Sequence, residues 1–258
     1  ITLAKNYIAL LDQVYKNASV TTVLDSDAST MRAGANANEI LIPKLSMSGL
    51  ADYSRNSGYI KGDVKLEWET VTFNYDRGRI FEVDTQDNEE TVQLAFGRLA
   101  SEFMRIKVAP EADAFTFAQL AGTTGISKVS AGATLSDGAA VMSALKAGID
   151  KMDEDEVPDE NRYLFITPTN LSAVKAMDTT KSRELLDGFA SIIKVPQSRF
   201  YTAIDLYDGV DHSGTSGQID ESAGHFAKAT AGKDINFMIV HKPAVIKYNK
   251  HIASNIIT

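Results

Sequence analysis

Residues 64–122 hold a strand-like period and a helix-like period side by side, and this pairing constrains the fold more than any other feature. Val64, Leu66 and Trp68 alternate with Lys65, Glu67 and Glu69, the period of a strand with one apolar side. Val71 and Phe73 continue one residue out of step, which predicts a bulge near Thr70 or a twist of the strand. Asn74 to Gly78 has the composition of a hairpin turn, so Arg79–Val83, with Ile80, Phe81 and Val83, is expected as the return strand. A helix is then predicted over 88–107. Asp87 and Glu90 stand at capping-box spacing, and Val92, Ala95, Phe96, Leu99, Phe103 and Ile106 share one stripe. Pro110 is expected to stop it. Leu94 and Met104 project from the polar side and Gly97 sits mid-helix, so a second packed face is expected.

Composition narrows the rest. The 258 residues suffice for one large domain or two small ones, and 44% apolar with 23% charged residues is ordinary for a globular chain. Without cysteine there is no disulfide framework and no thiolate chemistry. A net charge of −8 argues against a surface built to neutralise phosphates. No apolar run approaches the ~20 residues of a membrane span. The chain opens on Ile1 rather than Met, and Ser254–Thr258 reads as the middle of a strand, so both ends are expected to be open.

In chain order, Thr2 caps a short amphipathic helix bearing Leu3, Tyr7, Leu10, Leu11 and Val14. Residues 26–38 read as a linker. Glu39–Leu45 is a short strand that Pro43 confines to an edge or a strand end, and residues 49–63 read as the turn-rich flank of the hairpin. The Gly/Thr/Ser-rich segment 123–133 marks a crossover. Ser136 caps the next helix, with Val141, Leu145, Ile149 and Met152 on one stripe. Residues 153–160 (DEDEVPDE) form a solvated acidic turn. Tyr163–Ile166 is a buried strand, after which Thr167-Pro168 opens a helix carrying Leu171, Val174 and Met177. Residues 191–195, 201–206, 235–240, 244–248 and 251–257 are expected as strands, and 208–224 as a long polar loop.

Chemistry is sparse. Asp205, Asp208, Asp211, His212 and His225 crowd one loop, yet no HExxH or comparable metal-ligand spacing accompanies them. Gly214-Thr215-Ser216-Gly217 lacks the spacing of a nucleophile elbow. Neither phosphate-loop nor dinucleotide fingerprint is present. No catalytic residue, metal or cofactor is therefore expected. Glu67 and Glu69, with Lys65 and the arginines beyond Asp76, read as interface charges.

The YDRGRIFEVD segment, the D-x-x-E capped helix and RIKVAPEADAFTFAQLA together resemble the major capsid protein of tailed phages, which has the Hong Kong 97 fold. The resemblance is strongest over residues 38–122 and looser over 163–177 and 235–251. It implies an α+β fold with an N-terminal arm (1–37), a peripheral-domain strand (38–47), an extended E-loop hairpin (48–86) and a spine helix (87–124). An axial domain (125–234) with a mixed central sheet flanked by helices would follow, then strands returning to the peripheral domain (235–258). The implied function is structural: self-assembly into the icosahedral shell around the genome of a double-stranded DNA phage. Implied partners are copies of the chain as pentamers and hexamers, with scaffolding, portal and decoration proteins. DNA would be enclosed without sequence readout, no membrane would be involved, and the protein, made in the bacterial cytoplasm, would reside in the virion. Glu67, Trp68, Glu69, Arg77, Arg79, Glu82 and Asp84 would then lie at inter-subunit contacts. An encapsulin shell is the alternative within the class, and a metal-dependent enzyme using residues 205–225 the alternative outside it. Nothing selects a crosslinking pair among Lys61, Lys65, Asn249 and Asn255, so no covalent ladder is expected.

Overall fold

A computed structural model of the chain describes residues 18–26, 32–34, 36, 38–56, 58–81, 94–129, 132–215 and 219–249. The fold is mixed α+β and divides into two compact units, one of residues 26–82 and one of residues 1–25 with 83–258. The predicted helix over residues 2–14 and strand over 251–257 lie outside the described residues.

The first unit is a ribbon. Strands β1 (Arg32–Ala33), β2 (Glu39–Met47) and β3 (Val64–Thr72) lie side by side in chain order. β2 and β3 pair antiparallel through nine consecutive residues, from Glu39 opposite Thr72 to Met47 opposite Val64. This corrects the expected hairpin. The partner of β3 is β2, the described residues 73–81 carry no strand, and residues 82 and 83 of the expected return strand lie outside the described residues. The loop that reverses the chain is 48–63, closed by Ser48 N–H donating to the Asp63 carbonyl at 2.9 Å. Within it Gly58 has a φ of 73° and forms a bridge with Ser54.

The expected bulge is absent too. The register is unbroken, and Val71 is out of step because it lies on the other face, opposite the buried Ile40. Pro43 fits for a specific reason. Ser48 N–H bonds Asp63 and Phe73 N–H bonds the Asn38 carbonyl at 2.9 Å, which fixes the alternation of hydrogen-bonded pairs between them. Pro43 opposite Trp68 then falls at a non-hydrogen-bonded pair, so its nitrogen faces away from β3. On that side β1 pairs only with Ile40 and Leu41, and no ladder bond is forfeited.

The second unit contains a long helical run: α1 (Leu94–Phe103), a π-helical turn (Met104–Val108) and α2 (Ala109–Gly122). Pro110 does not stop it, contrary to expectation. Proline at the first turn of α2 offers no N–H, and its ring would crowd the carbonyl four residues back in a regular helix. The π turn widens the helix just before it, with Ala109 N–H reaching back to the Met104 carbonyl. The inserted residue also shifts the buried stripe. Met104, assigned from sequence to the polar side, is 6% exposed and packs with Ala100, Val108 and Ala109, whereas Ile106 is 51% exposed. Ile106 is therefore removed from the inner stripe, while the expected second packed face is found at Met104.

Around this run lie α3 (Gly138–Glu154), β4 (Arg162–Ile166), α4 (Pro168–Ala176), α5 (Thr180–Asp187), β5 (Ser191–Lys194), β6 (Ile204–Leu206), β7 (Phe226–Lys228) and β8 (Phe237–His241). β4 is the middle of a mixed sheet, parallel to β5 and antiparallel to β8. Covered on both faces, it is apolar almost throughout. Leu164 and Ile166 meet Val141, Leu145, Leu171, Val174 and Leu186 from α3, α4 and α5. Phe165 faces the other way, against Phe117 of α2, Val195 and Phe200.

Helix caps are local. Asp137, rather than the expected Ser136, caps α3 by accepting from Ala140 N–H at 2.8 Å. Thr167 caps α4, as the Thr-Pro step predicts. α5 has no counterpart in the sequence reading, although Thr179 and Ser182 form a reciprocal capping box. Instead of a strand over 244–248 there is a 3-10 turn, Lys242–Ala244, and an isolated bridge from Lys247 to Asp25.

Two buried charges organise loops. Arg162, 3% exposed, draws the acidic turn together through Asp153 at 2.6 Å, Asp159 at 3.0 Å and the Pro158 carbonyl at 3.0 Å. Asp113 on α2 is fully buried. It accepts from Ser19 Oγ (2.6 Å), Thr21 Oγ1 (2.7 Å) and the N–H groups of Val20 (3.0 Å) and Thr21 (3.1 Å), and pairs with Arg199 Nη1 at 2.9 Å.

Phe117 is the hinge of the aromatic cluster, edge-on to Phe165 at 5.3 Å and to Phe200 at 4.7 Å. Phe117→Ala is expected to lower the unfolding free energy by about 3–5 kcal/mol, because the cavity would open between a rigid sheet and a long helix. Urea unfolding monitored by far-UV circular dichroism checks this.

Candidate interaction surface

Antiparallel pairing gives the β2–β3 ribbon two chemically distinct faces, since directly opposed residues point the same way. On one face Pro43 meets Trp68, Leu45 meets Leu66, and Met47 meets Val64. On the other, Ile42 meets Glu69, Lys44 meets Glu67, and Ser46 meets Lys65. Every residue of β3 is exposed. Leu45 is 57% exposed, Leu66 60% and Met47 67%, so among the described residues of its own unit nothing covers the apolar face. Nine residue pairs at ~3.4 Å per residue make the ribbon ~30 Å long.

At its base Arg32 stacks on Trp68, 4.4 Å from the ring centroid. The charged face is internally paired: Lys65 with Glu67, and Lys44 with Glu69 at 3.5 Å. Such exposed pairs contribute little to folding. The tip adds apolar surface, with Leu50 and Ile60 exposed and Tyr53 tilted against Tyr59 at 4.9 Å.

The residues expected at contacts are thus split. Glu67, Trp68 and Glu69 stand on the ribbon, Trp68 on the apolar face and the glutamates on the charged one. Arg77 and Arg79 lie in the exposed coil that follows β3, each with interactions of its own. Glu82 and Asp84 fall outside the described residues. Sequence reasoning missed Leu45 and Met47, because the true partner strand of β3 was read as short. Their signal was the spacing of Pro43, Leu45 and Met47 at every second position.

The polar loop carries a second cluster. Asp208, His212 and Glu221 place ligand-type atoms within 4.8 Å of one another, whereas Asp205, Asp211 and His225 do not join that group. Glu221 was not anticipated. It arrives because the loop folds back on itself, with Asp211 bridged to Asp220 and Glu221 N–H on the Val210 carbonyl. His212 Nε2 lies 2.8 Å from Asp208 Oδ2.

That hydrogen bond, aided by the charges of Asp208, Glu221 and Asp211, raises the His212 pKa above its ordinary value against a smaller opposing effect of burial. A raised folded-state value means the contact stabilises the loop fully below the ordinary histidine pKa of ~6.5. The contribution is lost as pH rises through the folded value. Asp208→Asn is expected to return the His212 titration, followed by NMR of its ring protons, towards the ordinary range.

Among the described residues no helix is long and apolar enough to cross a membrane. The chain is an α+β protein whose uncovered ribbon is its most conspicuous surface. No protein-family model matches the sequence, and the comparison with curated proteins returns no match.

Proposed function

We propose that the chain is a shell-forming structural protein, the major capsid protein of a tailed phage with the Hong Kong 97 fold. The observation that carries this reading is the ribbon of residues 39–72. A two-stranded ribbon is marginal alone in water, and an uncovered apolar face of this extent marks a docking surface. Combined with the resemblance over residues 38–122, the ribbon takes the role of the E-loop, its tip at 48–63, and lies on a neighbouring subunit. The helical run through α1 and α2 takes the role of the spine helix. The mixed sheet with its flanking helices takes that of the axial domain.

Arg77 and Arg79 follow the ribbon directly and bridge to acidic groups of the adjacent copy, a task suited to the planar guanidinium fork. Sequence-independent enclosure of DNA agrees with the net charge of −8. Negative-stain imaging and sedimentation of the purified chain test the reading. Closed shells tens of nanometres across are expected, and a chain that stays monomeric at all accessible concentrations overturns it. Nucleic acid, rather than cargo enzyme, inside shells recovered from the natural source separates a virion from an encapsulin.

A further inference from the structure

β6 and β7 pair antiparallel, with Ile204 opposite Lys228 and Leu206 opposite Phe226. Tyr207 N–H then reaches the His225 carbonyl at 2.9 Å and closes the base of the polar loop. Gly209, with a φ of 86°, turns the chain directly after Asp208, a conformation that a Cβ disfavours. The turn lets Val210 N–H donate to Asp208 Oδ1 at 2.8 Å and brings His212 Nε2 to Asp208 Oδ2 at 2.8 Å. Glu221 arrives from the other arm, held at both ends. Its N–H donates to the Val210 carbonyl at 3.1 Å, and its Oε2 accepts from Asp208 N–H at 3.1 Å.

We propose that Asp208, His212 and Glu221 bind one divalent transition-metal ion of the zinc type and so pin the two arms of the loop together. The donors are His212 Nε2, Asp208 Oδ2 and a carboxylate oxygen of Glu221. This inference goes beyond shell formation and does not rest on it. Pairing of His212 with Asp208 accounts for two members of the group and leaves the third unexplained. Glu221 sets a second carboxylate within 4.8 Å of both, and like charges so close repel unless a cation lies between them. A protonated imidazole offsets one of the two negative charges. A divalent ion offsets both.

The donor set selects the ion. Calcium and magnesium take oxygen donors, and copper(I) favours thiolates, which a chain without cysteine does not supply. An imidazole with two carboxylates suits zinc and its neighbours. Distances agree with that class. Such ions hold nitrogen and oxygen donors at about 2.0–2.2 Å, so adjacent donors stand about 3.0–3.5 Å apart. His212 Nε2 and Asp208 Oδ2, now at 2.8 Å, need only part slightly to admit one. Glu221 is half-buried, and its long side chain closes the remaining distance by rotation. Backbone bonds to the other oxygens of Asp208 and Glu221 orient both carboxylates, the role that outer partners play at metal sites. Three protein donors leave a further position to water.

Calorimetric titration of the EDTA-treated full chain with ZnCl2 tests the site. One equivalent is expected to bind saturably, and Ca2+ is expected not to compete. His212→Ala, Asp208→Asn and Glu221→Gln should each weaken binding by more than the ~10-fold that loss of an outer partner costs. His225→Phe keeps a ring against Tyr207, where the native centroids lie 4.2 Å apart, and should bind Zn2+ as the native chain does. Circular dichroism of the EDTA-treated variants should match the native chain, because the substitutions lie in a loop. No saturable binding up to about 1 mM Zn2+ overturns the proposal. So does binding that survives Glu221→Gln, or that is lost in His225→Phe. Tighter binding of Ca2+ than of Zn2+ overturns the class of ion. Hydrogen exchange reads the pinning separately. Amides of residues 208–215 and 219–224 should exchange more slowly with Zn2+ in the native chain and not in His212→Ala, and equal exchange with and without Zn2+ overturns the clamp. None of these measurements depends on assembly, so a chain that forms no shells leaves them intact.

Discussion

Asp113→Ala is expected to lower the unfolding free energy by about 3–5 kcal/mol, the range for removing one partner of a buried ion pair. The cost has three sources. Arg199 would keep its charge at a site only 18% exposed. The hydroxyls of Ser19 and Thr21 and the N–H groups of Val20 and Thr21 would lose their shared acceptor. The segment 18–25 would also lose its main tie to α2, leaving chiefly Leu24 in the core and Asp25 on Lys247 at 2.9 Å. Asp113→Asn should be damaging as well, since every partner donates and one end of an amide is itself a donor. Chemical denaturation measures the loss, and hydrogen exchange should show it concentrated at residues 19–21. A change below about 1 kcal/mol for the alanine variant would show that the network contributes nothing beyond its neutral replacement.

Leu45→Lys combined with Leu66→Glu is expected to abolish assembly while leaving the fold unchanged. The two residues face each other on the ribbon, so the replacement pair attracts across the strands and β2–β3 pairing is retained. Both sites are more than half exposed in the single chain, and substitutions at such positions usually shift stability by no more than about 0.5 kcal/mol. In a shell the same face would be buried against a neighbour, and two charges would be desolvated at every copy of the contact. Imaging should show no closed particles, with the melting temperature and circular dichroism of the soluble protein unaltered. Normal shells from this variant would refute the docking role of the apolar face. A drop in melting temperature would instead assign the face to the fold itself.

The helical run shows how far local pattern reached. Its existence was readable, because apolar residues recur at helical spacing before and after residue 104. Its end was not, because proline ordinarily terminates a helix, and only a wider turn ahead of Pro110 accommodates it. That one inserted residue moved Met104 inward and Ile106 outward, a rotation no periodicity count anticipates. The ribbon shows the complementary case. Alternation in Val64–Trp68 announced a strand with one apolar side, but strand pairing is a non-local choice. The nearer candidate, of which Arg79–Phe81 are described and carry no strand, was not the partner; β2 was, where nine residues find partners in a single register.

What the sequence determined by itself was therefore local: the caps at Thr167-Pro168, the buried strand at 163–166, the two-sided chemistry of β3 and the absence of thiol or phosphate-loop chemistry. These follow from periods and side-chain types within a few residues of each other. Tertiary structure alone decided the rest. It chose β2 as the partner of β3, brought Glu221 to Asp208 and His212, and set Asp113 under a segment more than ninety residues away in sequence. Those contacts join residues whose spacing along the chain carries no signal, because they form only once burial has fixed which surfaces meet.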